Sequence, residues 1–222
     1  MEPFFFCYTV DMKNIASNGA NNGPNRLTKK GKETRARIVA AAAELMFGNG
    51  VAGTSVEDVQ RKASVSASQL YHYFSEKRAL IAAVVAYQTE QVLGAQEPLF
   101  GRLDTLEGLQ AWRDAIVQLQ LERQCQGGCP IGSLASELSE TDAAVRAELA
   151  EAFGRWEHAI AAGLRAMAAR GELRPGANPD RLALALLAAL QGGLLLTQVR
   201  RDTEALAAGL DVILAHIRAQ LA

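Results

Sequence analysis

Apolar residues recur at helical spacing along most of this chain, and no segment shows the alternation of apolar and polar residues that marks a half-buried strand. Val145, Leu149, Phe153, Trp156 and Ile160 are an example, since each follows the last by four or three residues. An all-α fold is therefore expected. The periodicity predicts helices over 75–91, 105–123, 145–171, 180–199 and 206–221.

Upstream of these segments, two short helices separated by a tight turn are predicted. Ser55 and Asp58 have the spacing of a capping box, which opens a helix. After a turn at residues 63–65, Ser66 is expected to cap a second helix whose Leu70 faces inward. Two helices joined in this way are the layout of a DNA-reading helix-turn-helix.

The outward face of the second short helix carries small, hydroxylated and aromatic side chains. Such a face can offer hydrogen bonds and flat apolar surface to base edges in a major groove, while the helix N-terminus offers N–H groups to phosphate. Arg26, Lys29, Lys30 and Lys32 form an arm expected to lie along phosphate or to enter a minor groove. The expected DNA contacts are Lys32, Ser55, Ser66, Ala67, Ser68, Gln69, Tyr71, His72, Tyr73 and Lys77.

The distribution of charge supports DNA binding, although the whole chain has a formal charge of only −1. Residues 26–80 hold ten Lys and Arg against five Asp and Glu, a balance of +5. Residues 81–222 hold twelve Arg against seventeen acids, a balance of −5. Residues 26–80 thus form a basic head, which attracts phosphate and releases counterions from DNA. Residues 81–222 form an acidic body, which is repelled from the duplex.

Residues 34–80 resemble the N-terminal domain of the tetracycline-repressor (TetR) family of bacterial transcription regulators. Two positions differ from that family, because Ser64 stands where glycine is usual in the turn and Gln60 where alanine is usual. The residues that match are Arg37-Ile38-Val39, Ala41-Ala42, Leu45, Phe47, Gly50, Thr54-Ser55, Ala63, Val65-Ser66, Leu70-Tyr71, Tyr73-Phe74, Lys77 and Leu80.

The last two predicted helices are apolar around most of their circumference. Between residues 182 and 199 only Gln191, Thr197 and Gln198 carry polar side chains. A helix that is apolar all round must be covered on both sides. Two such helices from each of two chains could form a four-helix interface, with Gly192-Gly193 permitting close approach, and the resemblance implies the same homodimer. A pair buried within a monomer is the alternative.

Residues 125–142 interrupt the helical pattern with several glycines and Pro130, and Ser133 is expected to restart it. The string Gly-Cys-Pro-Ile-Gly-Ser-Leu-Ala-Ser-Glu is similar to a subgroup of TetR C-terminal domains that respond to drug-like or flavonoid-like molecules, so a cavity for a small apolar or aromatic ligand is expected. The alternative is that the same residues fill a core. The expected lining residues are Trp112, Ile116, Leu119, Ser133, Leu134, Phe153, Trp156, Ile160 and Gln191.

Other chemistry has weak support in the sequence. Cys125 and Cys129 allow a thiol-reactive sensor as an alternative, but they have neither redox-motif spacing nor a second metal-ligand pair beside them. His72, His158 and His216 form no catalytic or zinc-binding pattern. We therefore expect no metal, no cofactor and no enzymatic activity, with a helical carrier or enzyme as the outside alternative.

The chain divides into three expected regions: a disordered tail over 1–25, a DNA-binding domain over 26–80, and a ligand-binding and dimerisation domain over 81–222. The start of the tail is apolar but lacks the basic lead of a signal peptide. No apolar run argues convincingly for a membrane span, so a cytoplasmic protein is expected.

Overall fold

A computed structural model describes residues 27–222, so the predicted tail and Arg26 lie outside the described residues. The described part is built from helices and contains no strands, which confirms the predicted all-α fold. The helices are α1 (Lys29–Asn49), α2 (Val56–Ala63), α3 (Ala67–Tyr73), α4 (Lys77–Gly94), α5 (Glu97–Phe100), α6 (Leu106–Glu122), α7 (Pro130–Leu138), α8 (Ala143–Ala169), α9 (Pro179–Arg200) and α10 (Glu204–Ala219).

Both predicted caps of the helix-turn-helix are present. The Ser55 hydroxyl accepts a hydrogen bond from the Asp58 N–H at 3.1 Å, and the Ser55 N–H donates to the Asp58 carboxylate at 3.2 Å. Ser66 and Gln69 form the same reciprocal pair at 3.2 and 3.0 Å. These hydrogen bonds satisfy N–H groups that the helix itself leaves free, so they fix where α2 and α3 begin.

The turn between α2 and α3 uses a left-handed residue. Ser64 has φ 51° and ψ 52°, and its N–H donates to the Arg61 and Gln60 carbonyls that end α2. This region of backbone space is unfavourable for a residue with a Cβ, whereas glycine enters it freely.

We expect Ser64→Gly to stabilise the protein by about 1 kcal/mol, since it removes the strain of the left-handed conformation. Chemical denaturation followed by circular dichroism measures the change in unfolding free energy. A matched Ser68→Gly variant, at an exposed position inside α3, should instead lose stability, because glycine weakens a regular helix. Equal or lower stability of Ser64→Gly would contradict the strain argument.

Three predicted helix starts are wrong. The helix α1 already begins at Lys29, where the Thr28 hydroxyl caps it by accepting from the Gly31 N–H at 3.2 Å, so the lysines expected in an arm are helical. The helix α4 begins at Lys77, two residues after the predicted start at residue 75, and the side chain of its cap residue Glu76 makes no capping hydrogen bond. The helix α7 begins at Pro130, not Ser133, because proline suits the first turn of a helix.

The body is organised around α8 and α9, which pack against each other, while α4 lies on α8 and α10 lies on α9. Gly193 makes the α9–α10 contact possible, since an added Cβ would lie 2.7 Å from the Leu206 Cα. The close approach that was expected between two chains is therefore made within one chain. Gly192, by contrast, is exposed on the outer side of α9.

Candidate DNA-binding surface and ligand site

The helix α3 separates an inward face from an outward face, as predicted. Leu70 and Phe74 are buried in the core, whereas Tyr71 keeps 52% of its surface exposed. The apolar face predicted for this helix is therefore confirmed. The predicted contact residues that lie exposed on or beside the helix are Ser66, Ala67, Ser68, Gln69, Tyr71 and His72.

Tyr73 differs from the other predicted contacts on α3 because its ring packs partly against the core. The His72 and Tyr73 rings meet edge to face with their centroids 5.0 Å apart. Tyr73 also approaches α1, since a Cβ added at Gly31 would lie 3.5 Å from its hydroxyl oxygen. Tyr73 thus helps to seat α3 on α1, and contact with DNA through its hydroxyl stays a prediction.

The two predicted lysine contacts lie in different surroundings. Lys32 is exposed in the first turns of α1. The Lys77 ammonium is partly buried and donates to the Val51 carbonyl at 2.9 Å and to the Thr54 carbonyl at 2.7 Å. Two of its three donors therefore hold the turn between α1 and α2, which leaves one donor for a phosphate.

Other basic side chains of the head are used inside the fold. The Arg37 Nε donates to the Ala63 carbonyl at 2.9 Å, which ties α1 to the turn of the helix-turn-helix. Lys62 pairs with Glu44 at 2.6 Å. The Arg35 guanidinium lies over the Phe74 ring at 5.1 Å from its centroid. The sequence showed the excess of positive charge in the head, but it did not show that these three side chains form contacts within the fold.

The predicted ligand-lining residues lie mainly in the packed interior of the body. Trp112 and Ile160 are fully buried, and the Trp112 indole donates to the Gln96 amide oxygen at 2.9 Å. Ile116, Leu134 and Trp156 are buried as well. Leu119, Ser133, Phe153 and Gln191 are partly buried.

Two of these residues have a buried N–H donor that forms no hydrogen bond within the described part of the chain. The Trp156 Nε1 and the Gln191 Nε2 are such donors. Gln120 adds an amide oxygen and Thr197 a hydroxyl without a partner. An unpaired buried polar group costs roughly 1–3 kcal/mol, so each of these atoms has unused hydrogen-bonding capacity.

Two openings in the described chain are lined largely by other residues, and of the predicted lining residues only Ser133 and Leu134 border one of them. Ser133 and Leu134 of α7 border a narrow crevice against α1 and α4, with Met46, Phe47 and Val84 on its far side. A wider groove of about 250 Å³ lies between α4 and α8. Its floor consists of small apolar residues and its rim carries Glu90, Glu148, Glu151 and Arg155. A 2.6 Å ion pair joins Arg155 to Glu90, and this hydrogen-bonded carboxylate raises the pKa of Arg155.

The outer side of α9 and α10 is apolar and exposed in the single chain. Leu195 keeps 61% of its surface exposed and Val199 keeps 72%. Leu184, Leu196 and Val212 are also exposed. These five residues are called the outer apolar face below. Large exposed apolar patches mark surfaces that another molecule covers.

The two described cysteines are buried in the segment before and at the start of α7. Burial raises the pKa of the Cys129 thiol, and the hydrogen bond from the Gly132 N–H offsets part of that rise. The Cys129 sulfur also caps α7, since it accepts from the Gly132 N–H at 3.4 Å. A buried thiol with a raised pKa holds little of the reactive thiolate at neutral pH.

The helix α9 is the one described helix that is long and apolar enough to cross a membrane by length and composition. Eight of its residues are buried against the rest of the chain, and its C-terminal end carries Arg200 and Arg201. The packing of α9 between α8 and α10 accounts for its apolar composition within a helical body.

A basic helix-turn-helix head joined to an all-helical body with an exposed apolar face defines the class of dimeric DNA-binding regulators. Residues 38–84 match the family described as bacterial regulatory proteins, tetR family, and residues 105–213 match the tetracyclin repressor-like C-terminal domain. The chain belongs to the TetR family of transcriptional regulators. It is thus a regulator and not an enzyme.

Individual relatives agree with this assignment. An uncharacterised HTH-type transcriptional regulator of Mycobacterium tuberculosis is 30% identical over 177 residues, which cover 76% of this chain and 86% of the relative. The HTH-type transcriptional repressor DhaR of Mycobacterium sp. is 28% identical over 184 residues, which cover 81% and 89%. A crystal structure of a TetR transcriptional regulator from Chloroflexus aurantiacus is 28% identical, covers 87% of this chain and 98% of its own, and superimposes with a TM-score of 0.73.

Proposed function

We propose that this protein is a dimeric repressor that is released from its operator when a small apolar or aromatic molecule binds inside the body. The observation that carries the ligand part is the buried Trp156 Nε1, which has no hydrogen-bond acceptor within residues 27–222. Trp156 also belongs to the apolar stripe of α8. A planar ligand with a carbonyl or ether oxygen could enter between the helices, accept this hydrogen bond and bury its apolar surface.

A thermal-shift screen of planar aromatic compounds tests the ligand proposal. A compound that binds only the folded protein must raise the melting temperature. We expect Trp156→Phe to weaken binding of the best compound by about threefold to tenfold, because phenylalanine keeps the apolar ring but loses the N–H. Gel-shift titration should then show release of DNA by the same compound. Absence of any stabilising compound, or unchanged affinity in Trp156→Phe, would count against the proposed site.

We propose that α3 enters the major groove of operator DNA. The exposed side chains of α3 would contact bases, while the N-terminus of α3 and Lys32 would contact phosphate. Lys77 would contribute one donor at most, because its other two donors are bound to carbonyls. The residues proposed to contact DNA are Lys32, Ser55, Ser66, Ala67, Ser68, Gln69, Tyr71, His72, Tyr73 and Lys77. In a symmetric dimer the two recognition helices would lie about 34–36 Å apart, one turn of DNA.

We propose that the outer apolar face is the dimer interface, with α9 and α10 of two chains forming a four-helix contact. Its support is the exposure of large apolar side chains on one side of a helix pair whose opposite side is fully packed. A face of this kind is self-complementary when two copies meet across a twofold axis.

The helix α4 is proposed to carry the signal between ligand and DNA. It begins at Lys77, which holds the turn before α2, and it packs on α8 in the body. A ligand that shifts α8 would tilt α4 and change the spacing of the two recognition helices. Thermodynamic linkage then requires operator DNA to weaken ligand binding by the same factor as ligand weakens operator binding.

The thiol-sensor alternative is less favoured by the surroundings of the cysteines. A redox sensor needs an accessible thiol with a lowered pKa, whereas Cys125 and Cys129 are buried and burial raises the pKa of Cys129.

Because the function of this protein is the regulation of transcription, we propose that it acts in the cytoplasm, where operator DNA is found.

A further inference from the structure

The turn between α1 and α2, residues 50–55, is held by side chains from two distant parts of the chain. The Glu137 carboxylate of α7 accepts a hydrogen bond from the Val51 N–H at 2.8 Å. The Lys77 ammonium of α4 is bound to the carbonyl of the same residue at 2.9 Å. Val51 therefore has both of its backbone polar groups fixed by charged side chains. This turn leads directly into Ser55, which caps the first helix of the helix-turn-helix.

The backbone beside Val51 is shaped to receive Glu137. Gly50 has φ +76° and ψ 164°, a backbone conformation that residues other than glycine rarely adopt. An added Cβ at Gly50 would also lie 3.2 and 3.3 Å from the two carboxylate oxygens of Glu137. The carboxylate thus sits against bare backbone, where it can reach the Val51 N–H.

The segment that carries Glu137, residues 125–137, touches the head at its other end as well. Gly127 lies under the Phe47 ring of α1, since an added Cβ would be 2.5 Å from the Phe47 Cζ. The same segment rests on α9 from the opposite side. A Cβ at Gly132 would lie 3.0 Å from the Gln191 Oε1, and the Cys125 carbonyl accepts from the Arg201 Nη1 at 3.0 Å. Residues 125–137 are therefore packed between the end of α1 and the helix α9.

From these contacts we propose that Glu137 is a positioning residue for DNA binding, which fixes the helix-turn-helix relative to the body and to α9. Glu137 ends the string that begins at Gly128, so the segment singled out in the sequence acquires a role distinct from lining a ligand cavity. The link runs through α7 and is separate from the continuous helix α4. It depends on the DNA-binding function of the family and not on the proposed ligand.

Amide hydrogen exchange of the dimeric protein tests the contact itself. Glu137→Ala should raise the exchange rate of the Val51 N–H about tenfold, because a hydrogen bond to a charged acceptor is lost. Glu137→Gln should keep the slow exchange, since its amide oxygen can still accept. Glu140→Ala is the matched control, because it removes the same charge from an exposed position just beyond α7 and should leave Val51 unchanged.

Selectivity for the spacing of DNA half-sites tests the positioning role, which a merely stabilising contact would not affect. The probe is a duplex selected from a random library by the wild-type protein, compared with the same duplex carrying two extra base pairs between half-sites. A head that is fixed less firmly tolerates the altered spacing better. The wild-type preference for the selected duplex should fall about tenfold in Glu137→Ala and stay unchanged in Glu137→Gln and Glu140→Ala.

Unchanged Val51 exchange or unchanged spacing selectivity in a folded Glu137→Ala protein would overturn the proposal. So would a Glu137→Gln variant that loses both properties, because it keeps the acceptor. If the alanine variant does not fold, Glu137→Asp provides the same comparison, since its carboxylate is one methylene shorter and is withdrawn from Val51. No ligand enters these measurements, so their outcome is independent of the ligand screen.

Discussion

Leu195→Arg should convert the dimer into monomers. Leu195 keeps 61% of its surface exposed in the single chain and lies on α9 between Leu184 and Val199 of the outer apolar face. In the proposed four-helix contact its side chain would be buried, and an unpaired guanidinium there costs several kcal/mol. A loss of this size corresponds to a rise in the dimer dissociation constant of a thousandfold or so.

Sedimentation at micromolar concentration measures the oligomeric state, and circular dichroism checks the fold. The variant should remain helical, because Leu195 points away from its own core. Ala147→Arg, at an exposed position on α8, is the matched control and should remain dimeric. Operator affinity should fall together with dimerisation, since one monomer covers only one half-site. A folded Leu195→Arg protein that still sediments as a dimer would show that the interface lies elsewhere.

The features that the sequence predicted well depend on residues close together in the chain. The capping box of Ser55 and Asp58 was identified from its three-residue spacing, and Ser66 was identified as the cap of the next helix. Ser64 was singled out because it stands where the resembling family usually has glycine in the turn, and its left-handed conformation agrees with that departure. Inward and outward faces of α3 follow from helical periodicity without knowledge of the rest of the fold.

The features that the sequence did not predict depend on contacts across the fold. Glu137 and Val51 are 86 residues apart, and a single acidic residue at the end of an apolar helix has no periodicity that marks its partner. Lys77 was expected to lie near phosphate because it is in the first turn of the helix that follows the recognition helix. Its two carbonyl partners become visible only when the preceding turn folds against it.

The proposed ligand site shows a different limit of prediction from sequence. Periodicity shows that Trp112 and Trp156 face the interior, but it does not show how completely neighbouring helices fill the space between them. Trp112 is paired with Gln96, whereas the Trp156 Nε1 is left without an acceptor. Two rings with the same sequence signal therefore differ in whether the indole N–H is paired within the described chain, and this difference arises from packing.

The proposed DNA contacts are of two kinds, to bases and to phosphates. The salt dependence of DNA affinity distinguishes them, because only phosphate contacts are ionic. Tyr71 is exposed on α3 and should contact base edges, so Tyr71→Ala should lower affinity for a selected operator about tenfold to a hundredfold. Its salt slope should match the wild type, because no ionic contact is lost. Lys32→Ala, also at an exposed position, should lower affinity less at high salt and reduce the slope of log affinity against log salt by about one unit.

Both variants should melt at the wild-type temperature, since neither side chain contributes to the buried core. Lys77→Met provides the contrasting case, because its ammonium holds two backbone carbonyls and its loss should lower the melting temperature along with DNA affinity. Fluorescence anisotropy titrations from about 50 to 200 mM salt cover the range in which phosphate contacts dominate. A Tyr71→Ala slope that falls by one unit, or an undiminished preference for the selected operator over random DNA, would rule out base contact by Tyr71.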